Sequence, residues 1–247
     1  MIPALVLAGG EGSRLVAAGV GKPKPLVEIG GKPLIVRLVE ELTALGCPRI
    51  TCMVRDGFAG AARDRLRAAG FAVGDGGTPV DVRPCSTSSS LHTLALGLDA
   101  VEEGPVFCAM VDTMMPRDDW RRVYRAVQDD LAAGAAAVLA ITPFIDDEAP
   151  LHVGVDPAGR VTGLGDAPFD PARVTGGAYG FAPSMRSAAH DAVRAGRSRL
   201  RVFLRSIVAQ GLRVTSVEIA RILDLDRPHD LVAAERWLTD ARAQAGA

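Results

Sequence analysis

Ala4-Leu5-Val6-Leu7-Ala8-Gly9-Gly10 lies almost at the start of this 247-residue chain. Five apolar residues without a polar interruption fit a strand buried on both faces, and the two glycines fit a tight turn at its end. Downstream, Leu34, Ile35, Leu38, Val39, Leu42 and Leu45 recur at helical spacing, Gly46 stops that helix, and residues 50–54 read as the next strand. The alternation continues with a helix over 59–69, a short strand at 80–82, a helix opening in Ser88-Ser89-Ser90 and a strand at 106–111. It predicts an α/β fold of three layers, Rossmann-like, with helices on both faces of a mixed, mainly parallel central sheet.

The second half of the chain changes character. After a helix over 118–132 and an apolar strand at 136–141, short strands at 152–155 and 160–163 flank Asp156-Pro157-Ala158-Gly159, which reads as a hairpin turn rather than a crossover. A strand over 174–181 broken by Gly176-Gly177, helices over 184–195 and 200–210, a strand at 214–217 and a closing helix that starts at Pro228 complete the series. No repeat or linker divides it, so one domain over 1–247 is expected.

Hydrophobic residues make up 48% of the chain, enough to bury a core without disulfide or metal staples. The net charge of −1 comes from acids and bases scattered along the sequence, which gives no general attraction for nucleic acid or an anionic membrane. Cys47, Cys52, Cys85 and Cys108 show no CxxC spacing and read as reduced thiols of a cytoplasmic protein. No apolar run is long enough to cross a bilayer and no leader pattern opens the chain, so a soluble, unprocessed protein is expected. Histidines without HExxH spacing and the absence of a Gly-x-Ser-x-Gly elbow lend no support to zinc or covalent catalysis.

Positive charge is written almost entirely as arginine. Only three lysines occur, Lys22, Lys24 and Lys32, all just after the glycine-rich turn. Compact ammonium groups beside a loop that lets backbone N–H groups approach an anion point to phosphate chemistry on a nucleotide. The loop lacks the GK[ST] ending of a P-loop, and Arg14 follows Ser13 where a dinucleotide fingerprint would have its third glycine. What stands instead is Leu7-Ala8-Gly9-Gly10-Glu11-Gly12-Ser13-Arg14-Leu15, then Pro23-Lys24-Pro25-Leu26, then Gly31-Lys32-Pro33-Leu34-Ile35.

These segments, in order and spacing, closely resemble the signature of the sugar-phosphate nucleotidyltransferase superfamily, LAGGxGxRL followed by PKPLxxxxGKPLI, the type that includes the nucleotide-sugar pyrophosphorylases. The resemblance implies a GT-A type fold with a nucleotide-binding half over 1–112 and an acceptor-binding half over 113–247. It implies a nucleoside triphosphate on the glycine loop, attacked at its α-phosphorus by the phosphate oxygen of a small acceptor, with pyrophosphate released. Carried over by motif, Leu7, Ala8, Gly9, Gly10, Gly12, Ser13, Arg14 and Lys24 hold the nucleotide, and Arg14 and Lys24 are the catalytic cations. The physics agrees, because phosphoryl transfer depends on cations placed where charge spreads in the transition state. Lys32 is expected to open a helix and to be structural; for Lys22 a functional and a solvated role are balanced.

Mg²⁺ is the expected cofactor, since it bridges phosphate oxygens and needs only one or two protein carboxylates. Asp112 follows the apolar strand at 106–111, where open α/β sheets bind ligands, and the family places a metal-binding Asp there. The second ligand is expected at Asp226, with Asp224 in reserve, in Asp224-Leu225-Asp226-Arg227-Pro228-His229-Asp230-Leu231, similar to the family's D-x-D-T-P-x-D-L. Here Arg227 stands for the usual Thr, and a rival role for Asp226 is to cap the last helix. Ser88 and Ser89 occupy the place where the family reads the base, though hydroxyls at a helix start also serve as caps. Gly176 and Gly177 resemble the strand that lets the acceptor approach the backbone, against which stands a plain β-bulge. Asp166 joins them as an acceptor residue, but Gly165-Asp166-Ala167-Pro168 lacks the Glu-Lys pair common after the hairpin. Arg173, Arg199 or Arg201 could supply the missing cation.

The expected activity is transfer of a nucleoside monophosphate to a sugar 1-phosphate or similar phosphorylated alcohol. Rivals are the same reaction on phosphocholine, inositol phosphate or molybdopterin, and a catalytically silent sensor of the same fold. Expected partners are the triphosphate and the acceptor, not nucleic acid or membrane. Base, acceptor and oligomeric state, a homodimer included, stay open.

Overall fold

A computed structural model describes residues 1–10, 21–74, 79–146 and 149–245, with side chains through residue 239. Gly12, Ser13 and Arg14 lie outside the described residues, so their expected roles carry no structural account.

The frame is one large sheet. Five of its strands, β1 (Ala4–Ala8), β4 (Ile50–Arg55), β5 (Val73–Gly74), β6 (Val80–Cys85) and β7 (Val106–Met110), run parallel in the spatial order β7-β1-β4-β6-β5. Beside β7 the direction reverses. The strand β12 (Val174–Phe181) lies antiparallel to β7 and to β9 (Ala137–Thr142), and β13 (Val214–Glu218) then runs parallel to β9. The hairpin of β10 (His152–Val155) and β11 (Val161–Gly165) joins the edge of β12. The mixed, mainly parallel sheet expected from the sequence is therefore the observed one.

Side-chain alternation along β1 shows why the fold has three layers. Ala4, Val6 and Ala8 pack into a core with α1 (Leu34–Ala44), α2 (Ala59–Ala68), α4 (Arg117–Ala132) and α7 (Pro228–Ala245). Leu5 and Leu7 enter the opposite core with α3 (Ser90–Ala100), α5 (Ser184–Arg194) and α6 (Leu200–Ala209). A strand apolar at every position can satisfy both. On the first face Tyr124 ties α4 to the chain start, its hydroxyl accepting from the Ile2 N–H and donating to the Ile2 carbonyl, each at 2.9 Å. Among the described residues no helix is long and apolar enough to cross a membrane.

Three short elements matter more than their length. A hairpin of β2 (Glu28–Ile29) and β3 (Lys32–Pro33) turns through Gly30 and Gly31, both at positive φ, and α1 begins only at Leu34. Lys32 therefore lies in a strand, correcting the expectation that it opens the helix; Pro33, with its fixed φ and no N–H, stands just ahead of the first helical residue. Lys24–Leu26 forms one turn of 3-10 helix. The ribbon of β8 (Thr113–Met114) and β14 (Leu223–Asp224) pairs antiparallel, Thr113 opposite Asp224, and ties the end of the chain to the end of β7.

Candidate active site

The end of β7, the middle of β12 and the starts of α3 and α6 enclose a cavity of about 530 Å³ at the carboxyl edge of the parallel strands. Lys24 enters it from the 3-10 turn. Prolines flank it on both sides, Pro23 fixed at φ −62 and Pro25 buried, so the backbone that carries the ammonium has little freedom. Its side chain is only 12% exposed, and Nζ forms ion pairs with both Asp112 and Asp226. Burial works to lower the pKa of Lys24, but the charges of Asp112 and then Asp226 outweigh it and hold the ammonium above its ordinary range.

The β8–β14 ribbon explains how residues far apart in sequence reach one point. Asp112 lies in the turn between β7 and β8, the Leu225 N–H donates to the Asp112 carbonyl at 3.2 Å, and the Thr113 hydroxyl donates to Asp224 Oδ1 at 3.2 Å. Asp224 is exposed and lines the cavity. Desolvation, and next the charge of Asp112, push its carboxyl above the ordinary carboxylate range against the pull of Lys24. Asp112 and Asp226 thus pair with a single ammonium, and Asp224 lines the same cavity.

The Asp226 carboxylate pairs with Lys24, and the cap of the last helix comes from elsewhere in its first turn. Asp230 supplies it, its Oδ2 accepting the N–H of Arg227 at 2.7 Å and that of Asp226 at 3.0 Å. Arg227 precedes Pro228, the first helical residue, and Asp230 is the third, so its carboxylate supplies one half of a capping box, the acidic third residue reaching back to the N–H ahead of the helix. The cap leaves the Asp226 carboxylate turned toward Lys24.

The other expected residues divide between cavity and frame. Ser88, Ser89 and Ser90 line the cavity, but Ser89 Oγ is 2.8 Å from His92 Nδ1, and Ser90 Oγ accepts the Leu200 N–H that opens α6 at 3.0 Å. Gly176 and Gly177 line it too, at a register shift in β12. Both glycines also answer a packing need: a Cβ on Gly176 would collide with Ile222, and one on Gly177, at φ +71, would collide with Thr113 Oγ1 and lie 3.1 Å from Asp224 Oδ1. Leu7 and Ala8 are buried in β1, and Gly9 packs against Cys85 and Thr93 at its end, leaving only backbone to offer a ligand. Asp166 is exposed, paired with Arg205, and outside the cavity lining; Arg173 pairs with Glu218. Arg199 and Arg201 do line the cavity, Arg201 with one N–H on the Ala149 carbonyl at 2.8 Å. Lys22 and Lys32 pair with Glu28 at 3.1 Å and Glu40 at 2.5 Å, leaving Lys24 as the lysine of the cavity.

Residues 4–209 match the model of the MobA-like NTP transferase domain. The chain belongs to this family. A UTP–glucose-1-phosphate uridylyltransferase of Haloferax volcanii is 24% identical over 98% of both chains. A mannose-1-phosphate guanyltransferase of Schizosaccharomyces pombe is 49% identical over 51 residues, 21% of this chain, and the match spans 14% of that protein's length. The crystal structure of a putative glucose-1-phosphate thymidylyltransferase from Bacillus anthracis superposes with a TM-score of 0.78 at 18% identity, over 96% of this chain and 95% of that one. That likeness confirms the fold.

A second group of possible ligand atoms in this MobA-like chain, from Asp146, His229 and Asp230, lies within 4.8 Å of one another. The Arg227 guanidinium already stands among them, 3.7 Å from Asp146 Oδ1 and 3.4 Å from Asp230 Oδ1. Sequence reasoning missed Arg227, Asp230 and Thr113. For Asp230 a signal was present, an acidic residue two places after a Pro at the first helical position.

Proposed function

We propose that this chain is a Mg²⁺-dependent nucleotidyltransferase that joins the nucleoside monophosphate unit of a triphosphate to a sugar 1-phosphate or similar small phosphorylated alcohol and releases pyrophosphate. The observation that carries the reading is Lys24 held between Asp112 and Asp226 in a cavity at the carboxyl edge of the sheet. The donor set fits magnesium: Asp112, Asp224 and Asp226 offer only carboxylate oxygens, and together they outnumber the one ammonium among them. Asp112 and Asp226 would hold the ion, which would neutralise phosphate charge as it develops. Lys24, already desolvated and charged, would then face the phosphates rather than the carboxylates and stabilise the same charge from the other side.

Ser88, Ser89, Gly176 and Gly177 all line this cavity, which supports a reading in which the first half of the chain would bind the triphosphate and the second half the acceptor. The acceptor phosphate needs a cation, and the hairpin supplies none. Arg199 and Arg201 are the arginines of the cavity with no carboxylate partner among the described residues, so this chain would grip the acceptor phosphate from α6. The departure at the hairpin keeps a non-sugar acceptor in view. A pyrophosphate-release panel decides the matter: several triphosphates crossed with sugar 1-phosphates, inositol phosphate and phosphocholine, with and without Mg²⁺. Release in at least one Mg²⁺-containing cell supports the reading, and none in any cell rejects it.

A further inference from the structure

Arg227 lies at the junction of two segments that border the cavity. Its guanidinium, 17% exposed, donates from Nη2 to the Asp146 carbonyl and reaches Asp230 Oδ1 at 3.4 Å. Asp230 in turn holds the N–H of Asp226 at 3.0 Å. An unbroken chain of hydrogen bonds therefore runs from the backbone of Asp226, beside Lys24, through Asp230 and Arg227 to residue 146. That residue belongs to a wall of the cavity formed by Thr142, Phe144 and Asp146. Two further contacts stitch the same pair of segments. The Thr142 hydroxyl donates to the Ala220 carbonyl at 3.2 Å, and the Arg221 guanidinium sits 4.4 Å from the Phe144 ring and 5.7 Å from the Trp237 ring of α7.

We propose that Arg227 is a positioning residue that locks the 142–146 wall to the segment carrying Asp224 and Asp226, so that the fit of the acceptor and the geometry of the carboxylates are set by one element. The inference rests on the transferase reading above. A forked guanidinium suits the task because it can bond a carbonyl and a carboxylate in different directions at once, which a hydroxyl or a single ammonium cannot. Partners one shell removed from metal-binding carboxylates orient them, and their loss costs roughly tenfold or more in metal affinity.

The test uses the full chain with Arg227→Thr and Arg227→Lys, the second keeping the charge without the fork. Hydrogen exchange should quicken in both 142–146 and 223–227, with β1 and β4 unchanged. Binding of Mn²⁺, followed by the free ion's paramagnetic resonance signal, should weaken by about tenfold in Arg227→Thr and less in Arg227→Lys. In turnover, KM for the acceptor should rise while KM for the triphosphate stays near the wild-type value. Exchange that quickens in only one segment, or unchanged Mn²⁺ affinity in Arg227→Thr, overturns the proposal, as does an equal rise of both KM values. The exchange and Mn²⁺ arms need no turnover, so an inactive wild type would reject the transferase reading while these arms still judge Arg227.

Discussion

The Asp226 N–H donates to the Asp230 carboxylate at 3.0 Å, which makes the first turn of the last helix the support of a cavity residue. Asp230 is 4% exposed and also accepts the Arg227 N–H. Asp230→Ala removes the cap from the Arg227 N–H and one of the two acceptors of the Asp226 N–H, whose other acceptor is the Asp224 carbonyl at 3.1 Å. It should cost about 1–2 kcal/mol of stability, read as a lowered denaturation midpoint in urea. Stability equal to the wild type would show that the cap carries no weight.

Lys24 serves two masters. It is the cation proposed to face the phosphates, and in the structure it separates two carboxylates that would otherwise repel. Lys24→Ala should lower kcat at least a hundredfold, about 3 kcal/mol of transition-state stabilisation. The same variant should bind Mn²⁺ more tightly in the absence of nucleotide, because the ammonium no longer competes for Asp112 and Asp226. Weaker Mn²⁺ binding would mean that Lys24 organises the carboxylates rather than competing for them.

Gly177 has no room for a side chain and holds a φ of +71. Gly177→Ala must push Thr113 and Asp224 apart, so a loss of about 2–4 kcal/mol in stability is expected together with reduced turnover, measured by thermal unfolding and steady-state kinetics. Normal stability in Gly177→Ala would indicate that the ribbon yields easily.

The acceptor end offers a contrast between two charged groups. Arg201→Gln should raise KM for the acceptor roughly tenfold, the value of a charge-assisted hydrogen bond, and leave KM for the triphosphate unchanged. Asp166→Ala removes an exposed pair with Arg205 outside the cavity, an interaction worth about 0–1 kcal/mol, and should leave both constants alone. The reverse result would return the acceptor site to the hairpin.

Much of the frame was legible because long elements leave periodic traces. The unbroken apolar run 4–8, the helical spacing from Leu34 to Leu42 and the glycine stops are local signals, and each became the element it suggested. The β8–β14 ribbon was not, since strands of two residues show no period and Thr113 pairs with a residue 111 positions away. Lys24 and Asp112 were found through motif and strand position, and the structure brings them into contact. Asp166 carried only a place in a pattern, and in the structure it is exposed and paired with Arg205 of α6. Gly177 was read for a ligand when its neighbours already require it, because a steric demand set by Thr113 and Asp224 leaves no mark in the sequence around residue 177.

The most direct measurement compares pyrophosphate release by the wild type and Asp112→Asn, with Mg²⁺ present and after chelation, using the substrate pair that the panel selects. Release that needs Mg²⁺ and falls by two orders of magnitude or so in Asp112→Asn is the expected result for a carboxylate that holds the ion beside Lys24. Release that survives chelation, or that Asp112→Asn sustains at the wild-type rate, would contradict a site built on Lys24, Asp112 and Asp226.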